Sequence, residues 1–368
     1  MSNTNNSLTS LALQKFKKNF WGVLSFWFIV IVGFVSVFAY VITPDNSQNA
    51  NQMHLSIHSK KPGFKVVMLS LPSKNETAQS FFDKLFFGKI NQTEELPISD
   101  YKIENEVLSY TEYASDGLVG QLKTLPLTTF PNQEVQNYIK EKTFLFGTDK
   151  YGRDYFSRIL VGARISFFIG FVAVFISLVI GILLGSLAGY FGGKTDAIIM
   201  WLINVTWSIP TLLLVIAITL VLGKGFWQVF IAVGLTMWVE VARVVRGQII
   251  GVKEMQYVTA ARALGYNDFR IITKHILPNI MAPVIVISAA NFAAAILIES
   301  GLSFLGIGAQ PPMASWGAMI KDHYNYIILG KPYLALIPGL CIMSLVMAFM
   351  LIGNTLRDAL DVKNYESS

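Results

Sequence analysis

Cysteine is almost absent from this sequence: Cys341 stands alone among 368 residues. A single thiol excludes an internal disulfide and cannot by itself build a cysteine metal site. Histidine is nearly as scarce, with four residues, His54, His58, His275 and His323. His54 and His58 have the i,i+4 spacing of a helical metal pair, but Leu55, Ser56, Ile57 and Ser59 read as loop or strand, so no metal site is expected. Charge is the largest shortfall. Asp, Glu, Lys and Arg make up 14% of the chain, where a soluble domain carries roughly a quarter. With 53% hydrophobic residues, the surface excludes an ordinary water-soluble globule and calls for lipid as solvent. The net charge of +6 does not point to nucleic acid, because the basic residues sit beside apolar runs and read as orientation signals.

Six apolar runs are long enough to cross about 30 Å of hydrocarbon at 1.5 Å per residue: Phe20–Ile42, Ile165–Tyr190, Ile198–Leu222, Trp227–Val245, Pro283–Gly306 and Leu334–Gly353. The first is too long for a signal-peptide core and lacks a small-x-small cleavage site, so it reads as an uncleaved anchor. Lys15, Lys17 and Lys18 precede it and place the N-terminus in the cytoplasm. Counting spans from there puts Gly192–Asp196, Arg246–Asn279 and the C-terminal tail on the same side. The second of these segments is dense in Lys253, Arg262, Arg270 and Lys274. The expected organisation is residues 1–42 as cytoplasmic N-terminus and first span, 43–157 as an extracytoplasmic insert and linker, 158–361 as a core of five further spans, and 362–368 as a cytoplasmic tail.

The insert has its own structural signals. Phe64–Leu71 reads as a strand ended by Pro72, Ala78–Phe87 as a short aromatic helix, and Tyr101–Tyr113 as β-leaning, giving a small α+β unit. Asn75 and Asn91 begin Asn-x-Thr triplets, a pattern too common by chance to count as glycosylation sites. In the second span Gly181, Gly185 and Gly189 recur every four residues and would share one helix face, where close backbone approach substitutes for the missing hydrophobic drive between helices in lipid.

The cytoplasmic stretch Met255–Asn279 carries the strongest functional signal. Tyr257, Ala261 and Leu264 recur at i, i+4 and i+7 and predict one apolar face on a short helix. Ala260 and Ala261 are small, Gly265 permits a left-handed turn, Asn267 or Asp268 would cap a second helix, and Pro278 would end it. On physical grounds such a basic hairpin fits an anionic lipid surface or a protein groove equally.

With its two alanines, a glycine four residues after the second, and a distal Leu277-Pro278, the stretch resembles the cytoplasmic "EAA" loop of ABC importer permeases. Thr259 stands where that loop usually has glutamate, and His275 where isoleucine is common. Phe146–Asp154, Ser157-Arg158, Gly162–Ser166, Ala188–Gly193 with Asp196, Leu302–Gly306, Pro311-Pro312 with Ser315–Gly317, and Leu356–Asp361 are similar, in order, to the dipeptide/oligopeptide branch, and to the second, C-type, permease of its pair. Asn204 and Asn354 stand where the branch often has aspartate, so roles of those carboxylates do not carry over. The insert Asp45–Lys142 is longer than is usual there.

The resemblance implies an all-α polytopic fold of six transmembrane helices and a role as half of the translocation pathway for dipeptides or oligopeptides in the bacterial inner membrane. It implies as partners a second permease subunit, two cytoplasmic ATPase subunits that hold ATP and magnesium, and an extracytoplasmic substrate-binding protein. The helix bearing Tyr257, Thr259, Ala260, Ala261, Arg262, Leu264 and Gly265, with Leu277 and Pro278 behind it, would dock in a groove of the ATPase. A bulky charge at Ala261 or Gly265 is then expected to uncouple ATP hydrolysis from uptake.

No catalytic residues are expected in this chain. Gly193-Lys194-Thr195 resembles the end of a phosphate-binding loop, but the required glycine is replaced by Ala188 and a membrane helix precedes it. No nucleophile constellation or helical zinc motif stands out. Asn204, Pro210, Asn291 and Glu299 are polar or helix-breaking residues inside apolar runs and are candidates to line a pathway. An ion-coupled carrier, the rival reading, would show an internal repeat and paired midplane charges; neither is evident.

Overall fold

A computed structural model describes residues 8–72, 79–90, 94–114, 118–131, 134–223 and 225–360. Asn75, Asn91, Ala78, Asp361 and the tail 362–368 lie outside them. In chain order the helices are α1 (Leu8–Lys18), α2 (Phe20–Ile42), α3 (Phe81–Phe87), α4 (Tyr155–Phe191), α5 (Gly193–Trp207), α6 (Thr211–Leu222), α7 (Phe226–Val252), α8 (Gln256–Ala263), α9 (Asp268–Arg270), α10 (Leu277–Phe304), α11 (Trp316–His323) and α12 (Tyr333–Leu360). The strands are β1 (Phe64–Leu71), β2 (Glu94–Glu104), β3 (Val107–Glu112), β4 (Leu122–Pro126) and β5 (Ile139–Phe144).

Among the described residues, five helical stretches are long and apolar enough to cross a membrane: α2, α4, α7, α9 through α10, and α12. The third apolar run is broken at the helix-breaking Pro210 into a bent pair, α5 and α6, meeting at 92°. The cause lies at Ser208-Ile209-Pro210. Proline disfavours helical geometry in the residue before it and supplies no N–H to continue the ladder; Pro210 adopts ψ 124°, and the Ser208 N–H closes α5 on the carbonyls of Asn204 and Thr206.

The chain divides into two units. The first comprises 1–33, 166–310 and 340–368. Its centre is α7, with 61% of its most apolar window buried against 22–39% for the other four spans. One apolar cluster joins Ile169 and Ala173 of α4, Val215 of α6, Phe230, Val233 and Met237 of α7, and Ala295 and Leu302 of α10. A second joins Tyr190, Val241, Val245, Ile249, Val258, Ala261, Ile271 and Ile280. α7 is thus the best-packed span of the unit, and it still leaves one apolar stripe exposed, Trp227, Ile231 and Leu235 at i, i+4 and i+8.

The second unit comprises 34–165 and 311–339. It contains an antiparallel five-stranded sheet in the order β4-β3-β2-β1-β5. β2 and β3 form a hairpin in which Glu104 faces Val107, and the two turn residues Asn105 and Glu106 both have positive φ, 51° and 62°, as a tight two-residue turn requires. Leu69, Ile98, Leu108, Tyr110, Phe130 and Val135 form one core cluster of this unit, and Ile57, Val66, Met68 and Phe144 a second. Below the sheet, Asp149 accepts from its own turn, from the N–H groups of Tyr151 and Arg153 at 2.8 and 3.0 Å, and from Arg153 Nε at 2.6 Å. Trp316 Nε1 donates to the Ile159 carbonyl at 2.9 Å, and the Pro311-Pro312 bond is cis.

Candidate functional site

The loop singled out by sequence folds as a short helix, a tight turn and a second helix. α8 ends in a Schellman cap: the Gly265 N–H donates to the Arg262 carbonyl at 3.0 Å and the Tyr266 N–H to the Ala261 carbonyl at 3.2 Å. That geometry needs a left-handed residue at the turn, and Gly265 supplies it with φ 78°. Asn267 then caps the next helix, its Oδ1 accepting from the Arg270 N–H at 2.8 Å.

The faces of α8 are not divided as the sequence pattern suggests. Val258 and Ala261 are buried, 0% and 4% exposed, and pack on α7 and α10 through the second apolar cluster. Tyr257, Thr259, Ala260, Arg262 and Leu264 face outward, with Leu264 72% exposed. Tyr257, Ala261 and Leu264 therefore do not form one face. The outward apolar stripe is Tyr257, Ala260 and Leu264, at i, i+3 and i+7, with Met255 and Phe269 exposed nearby. Hydropathy spacing alone leaves the helix's rotation open, and Val258, unremarked in the pattern, decides it.

Pro278 does not end the second helix. After α9 the chain widens into a π-helical turn, Ile271–Ile276, in which the Leu277 N–H reaches back five residues to the Ile272 carbonyl, and α10 continues to Phe304. The wide turn gives a proline, which lacks an N–H, a place inside the helix. The Asn279 side chain donates to the His275 carbonyl at 2.7 Å. Leu277 is half-buried and Pro278 exposed. Tyr266 stacks on His275 with ring centroids 5.7 Å apart and lies under the Arg270 guanidinium at 4.1 Å. Tyr190, near the end of α4, donates to Asp268 Oδ1 at 2.6 Å. The hairpin is thus fastened to α4 as well as to α7 and α10.

The three stacked glycines face α7. A Cβ at Gly181 would lie 2.5 Å from Val241 Cβ, one at Gly185 would lie 2.6 Å from the Ala242 carbonyl oxygen, and one at Gly189 would lie 2.9 Å from the Arg246 carbonyl oxygen. The contact is backbone on backbone over two helical turns, which any side chain would force apart. α7 also makes two polar contacts with α5 that carry no periodic signal in the sequence. Arg246 of α7 holds Asp196 of α5 through two hydrogen bonds, and the Arg243 guanidinium lies 3.6 Å from the centre of the Trp207 ring.

The four pathway candidates do not come together. Asn204 and Pro210 are exposed, with Arg243 Nη2 3.5 Å from Asn204 Oδ1. Asn291 and Glu299 are each 1% exposed inside the bundle. Glu299 accepts from Ser303 Oγ at 2.6 Å, and Ser303 Oγ in turn accepts from the Ala309 N–H at 3.1 Å. That chain pins the end of α10 to the loop after it. Asn291 Nδ2 has no hydrogen-bond partner among the described residues.

Five apolar helices, a bent sixth pair and a tethered helical hairpin define a polytopic membrane protein. The chain belongs to the family of binding-protein-dependent transport system inner membrane components, whose model matches residues 181–363. A second model, the N-terminal transmembrane domain of oligopeptide transport permease C, matches residues 7–62. Residues 63–180 lie outside both. The chain is 43% identical over 228 residues to the dipeptide transport system permease protein DppC of Bacillus subtilis, 62% of this chain and 71% of that protein. It is 42% identical over 222 residues to the oligopeptide permease OppC of the same organism, 60% and 72% of the two chains. It is 44% identical over 218 residues to the glutathione permease GsiD of Escherichia coli O6:K15:H31, 59% and 72%. It is a multi-pass transport subunit of an ABC importer and not itself an enzyme.

Proposed function

We propose that this chain is the C-type permease of an ATP-driven importer of dipeptides or oligopeptides, placed with both termini in the cytoplasm and the sheet-bearing insert outside. It lines half of the pathway beside a second permease subunit. Two cytoplasmic ATPase subunits hold ATP and magnesium, and an extracytoplasmic binding protein delivers the peptide.

The observation that carries this reading is α8. Its inner face, Val258 and Ala261, is packed into the bundle, while Tyr257, Ala260 and Leu264 stand exposed beside a Schellman turn. An apolar stripe at the end of a lipid-embedded bundle fits a groove in a soluble partner. When ATP draws the ATPase subunits together, α8 is displaced with them. Its contacts with α7 and α10, and the Tyr190–Asp268 bond, carry that displacement to the spans. The peptide substrate rests on the likeness to peptide permeases.

The test is isolation of the full-length chain from its native membrane in mild detergent, followed by peptide uptake in proteoliposomes made from what co-purifies. A second permease and ATPase subunits, with ATP-dependent uptake of labelled di- or oligopeptides, are expected. An active homo-oligomer without ATPase would overturn the proposal. An intact complex that transports only a non-peptide solute would overturn the substrate assignment alone.

A further inference from the structure

The helix α3 lies in the region outside both family matches, and its sequence, FFDKLFF, packs four phenylalanines into seven residues. Leu85 is buried, whereas Phe81, Phe82 and Phe87 are 63–67% exposed and Phe86 is 43% exposed. Small soluble inserts do not leave four aromatic rings open to water without a partner.

The location of α3 identifies the partner. Its C-terminal end is clamped to the chain that has just left α2. The Lys89 N–H donates to the Asn46 carbonyl at 2.8 Å and the Gln48 N–H to the Lys89 carbonyl at 3.2 Å, only four to six residues beyond Ile42, the last residue of α2. A Cβ at Gly88 would lie 3.0 Å from the Tyr40 ring. Arg164 Nη1 donates to the Leu85 carbonyl at 3.1 Å, and its guanidinium lies between the rings of Tyr40 and Phe86, 5.2 and 5.5 Å from their centroids.

Tyr40 and Arg164 mark a depth. Tyr40 is two residues from the end of a span, about 3 Å along its axis. Arg164 carries the last charge in α4 before an uncharged run to Phe191. Both belong to the boundary between hydrocarbon and headgroups, where amphipathic rings and snorkelling cations collect. Val41 and Ile42, the last two residues of α2, are themselves 62% and 44% exposed, so the span leaves apolar surface open up to the stretch of chain on which α3 is clamped.

We infer that α3 lies in the bilayer surface on the insert's side, with Phe81, Phe82, Phe86 and Phe87 seated at the headgroup–acyl boundary. The occupant of the face is lipid, and the insert is held down on the membrane at this point.

The test places a single cysteine at Phe82→Cys or, separately, Phe87→Cys in a Cys341→Ser background, with Glu104→Cys on exposed β2 as the aqueous control. The chain, with its co-isolating subunits, is labelled with an environment-sensitive fluorophore and reconstituted in phosphatidylcholine–phosphatidylglycerol nanodiscs. Labels at 82 and 87 should lose most of their emission when the discs contain lipid bearing a nitroxide near the headgroup, and little with aqueous iodide. The label at 104 should show the reverse. Iodide quenching without lipid quenching at both 82 and 87 would place the rings in water and overturn the inference. Protection from both quenchers would place a protein subunit over α3 and overturn it equally. The readout is independent of transport, so it stands or falls separately from the proposed substrate.

Discussion

Arg246 grips Asp196 with Nε and Nη2 at 2.5 and 2.6 Å from the two carboxylate oxygens, tying the first turn of α5 to α7. The pair is about a quarter exposed on each side, so solvent weakens it, but a bidentate guanidinium–carboxylate contact is the strong form of an ion pair. Asp196→Ala should cost on the order of 1–2 kcal/mol. Asp196→Arg combined with Arg246→Asp should recover part of the loss, and Asp196→Arg alone should not. Thermal unfolding midpoints of the three variants in one detergent check this.

The rotation of α8 changes which substitution probes docking. Ala261 is buried against the bundle, so Ala261→Glu would damage the permease's own packing and says little about a partner. Ala260→Glu or Leu264→Glu adds charge on the exposed face. Each should leave expression and unfolding temperature within error while reducing uptake by at least tenfold, with ATPase activity losing its dependence on the permease. Uptake at the unsubstituted rate in a well-expressed Leu264→Glu variant would remove α8 as the docking element.

Gly185 tests the close approach of α4 to α7. Gly185→Val would press a side chain into the Ala242 carbonyl and Val245, an overpacking that costs about 1–3 kcal/mol. Gly247→Ala, on α7 itself but with nothing within 4 Å of the added Cβ, should be neutral or slightly stabilising. The contrast in thermal midpoint between the two variants is the measurement.

His323 should make the sheet-bearing unit sensitive to acid. Its Nδ1 lies 2.8 Å from the Met319 carbonyl and its Nε2 accepts from the Lys150 N–H at 3.4 Å, a pattern only the neutral ring satisfies. Burial pushes its pKa below the usual histidine value, and nearby Lys150 adds to this against the opposing pull of the Met319 carbonyl, Asp149 and Asp322. His54, buried in the same unit, is shifted the same way, first by burial and then by Lys142. With the folded pKa below the unfolded one, the unfolded chain binds more protons. The stabilisation is therefore complete above about pH 6.5 and is lost as pH falls from there through the lowered folded values. The unfolding midpoint should drop as the pH falls below about 6.5, and His323→Gln should flatten that slope; an unchanged slope in this variant would assign it to other groups.

How much of this was legible in the sequence depends on the range of the interactions. Phe20–Ile42 was readable to the residue because hydropathy is local and α2 is bounded by Asn19 and Thr43. The turn at Gly265 was readable for the same reason, and the cap was narrowed to Asn267 or Asp268, of which the structure uses Asn267. Pro210 marked the place where α5 and α6 part, but not the sharpness of the 92° bend, because the residues on both sides are equally apolar and an averaged hydropathy passes over it. The π turn before Pro278 was hidden because proline normally stops a helix, and only the neighbouring packing of Ile271 and Ile276 keeps this one going. β1 was legible, but its pairing with β5 across the whole insert was not, since nothing local encodes partners some seventy residues apart. The Asp196–Arg246 pair is nonlocal in the same way.

The pairing of β1 with β5 sets how the chain can be taken apart. Phe64 is opposite Phe144 at the first pair of β1 and β5, and the Gly63 N–H reaches the carbonyls of Phe144 and Leu145 at 2.9 and 3.2 Å. The sheet therefore begins and finishes at one neck, with its two ends roughly 5 Å apart. A cassette with adjacent ends can be excised or exchanged across a one- or two-residue splice, leaving the flanking chain free to take another in its place.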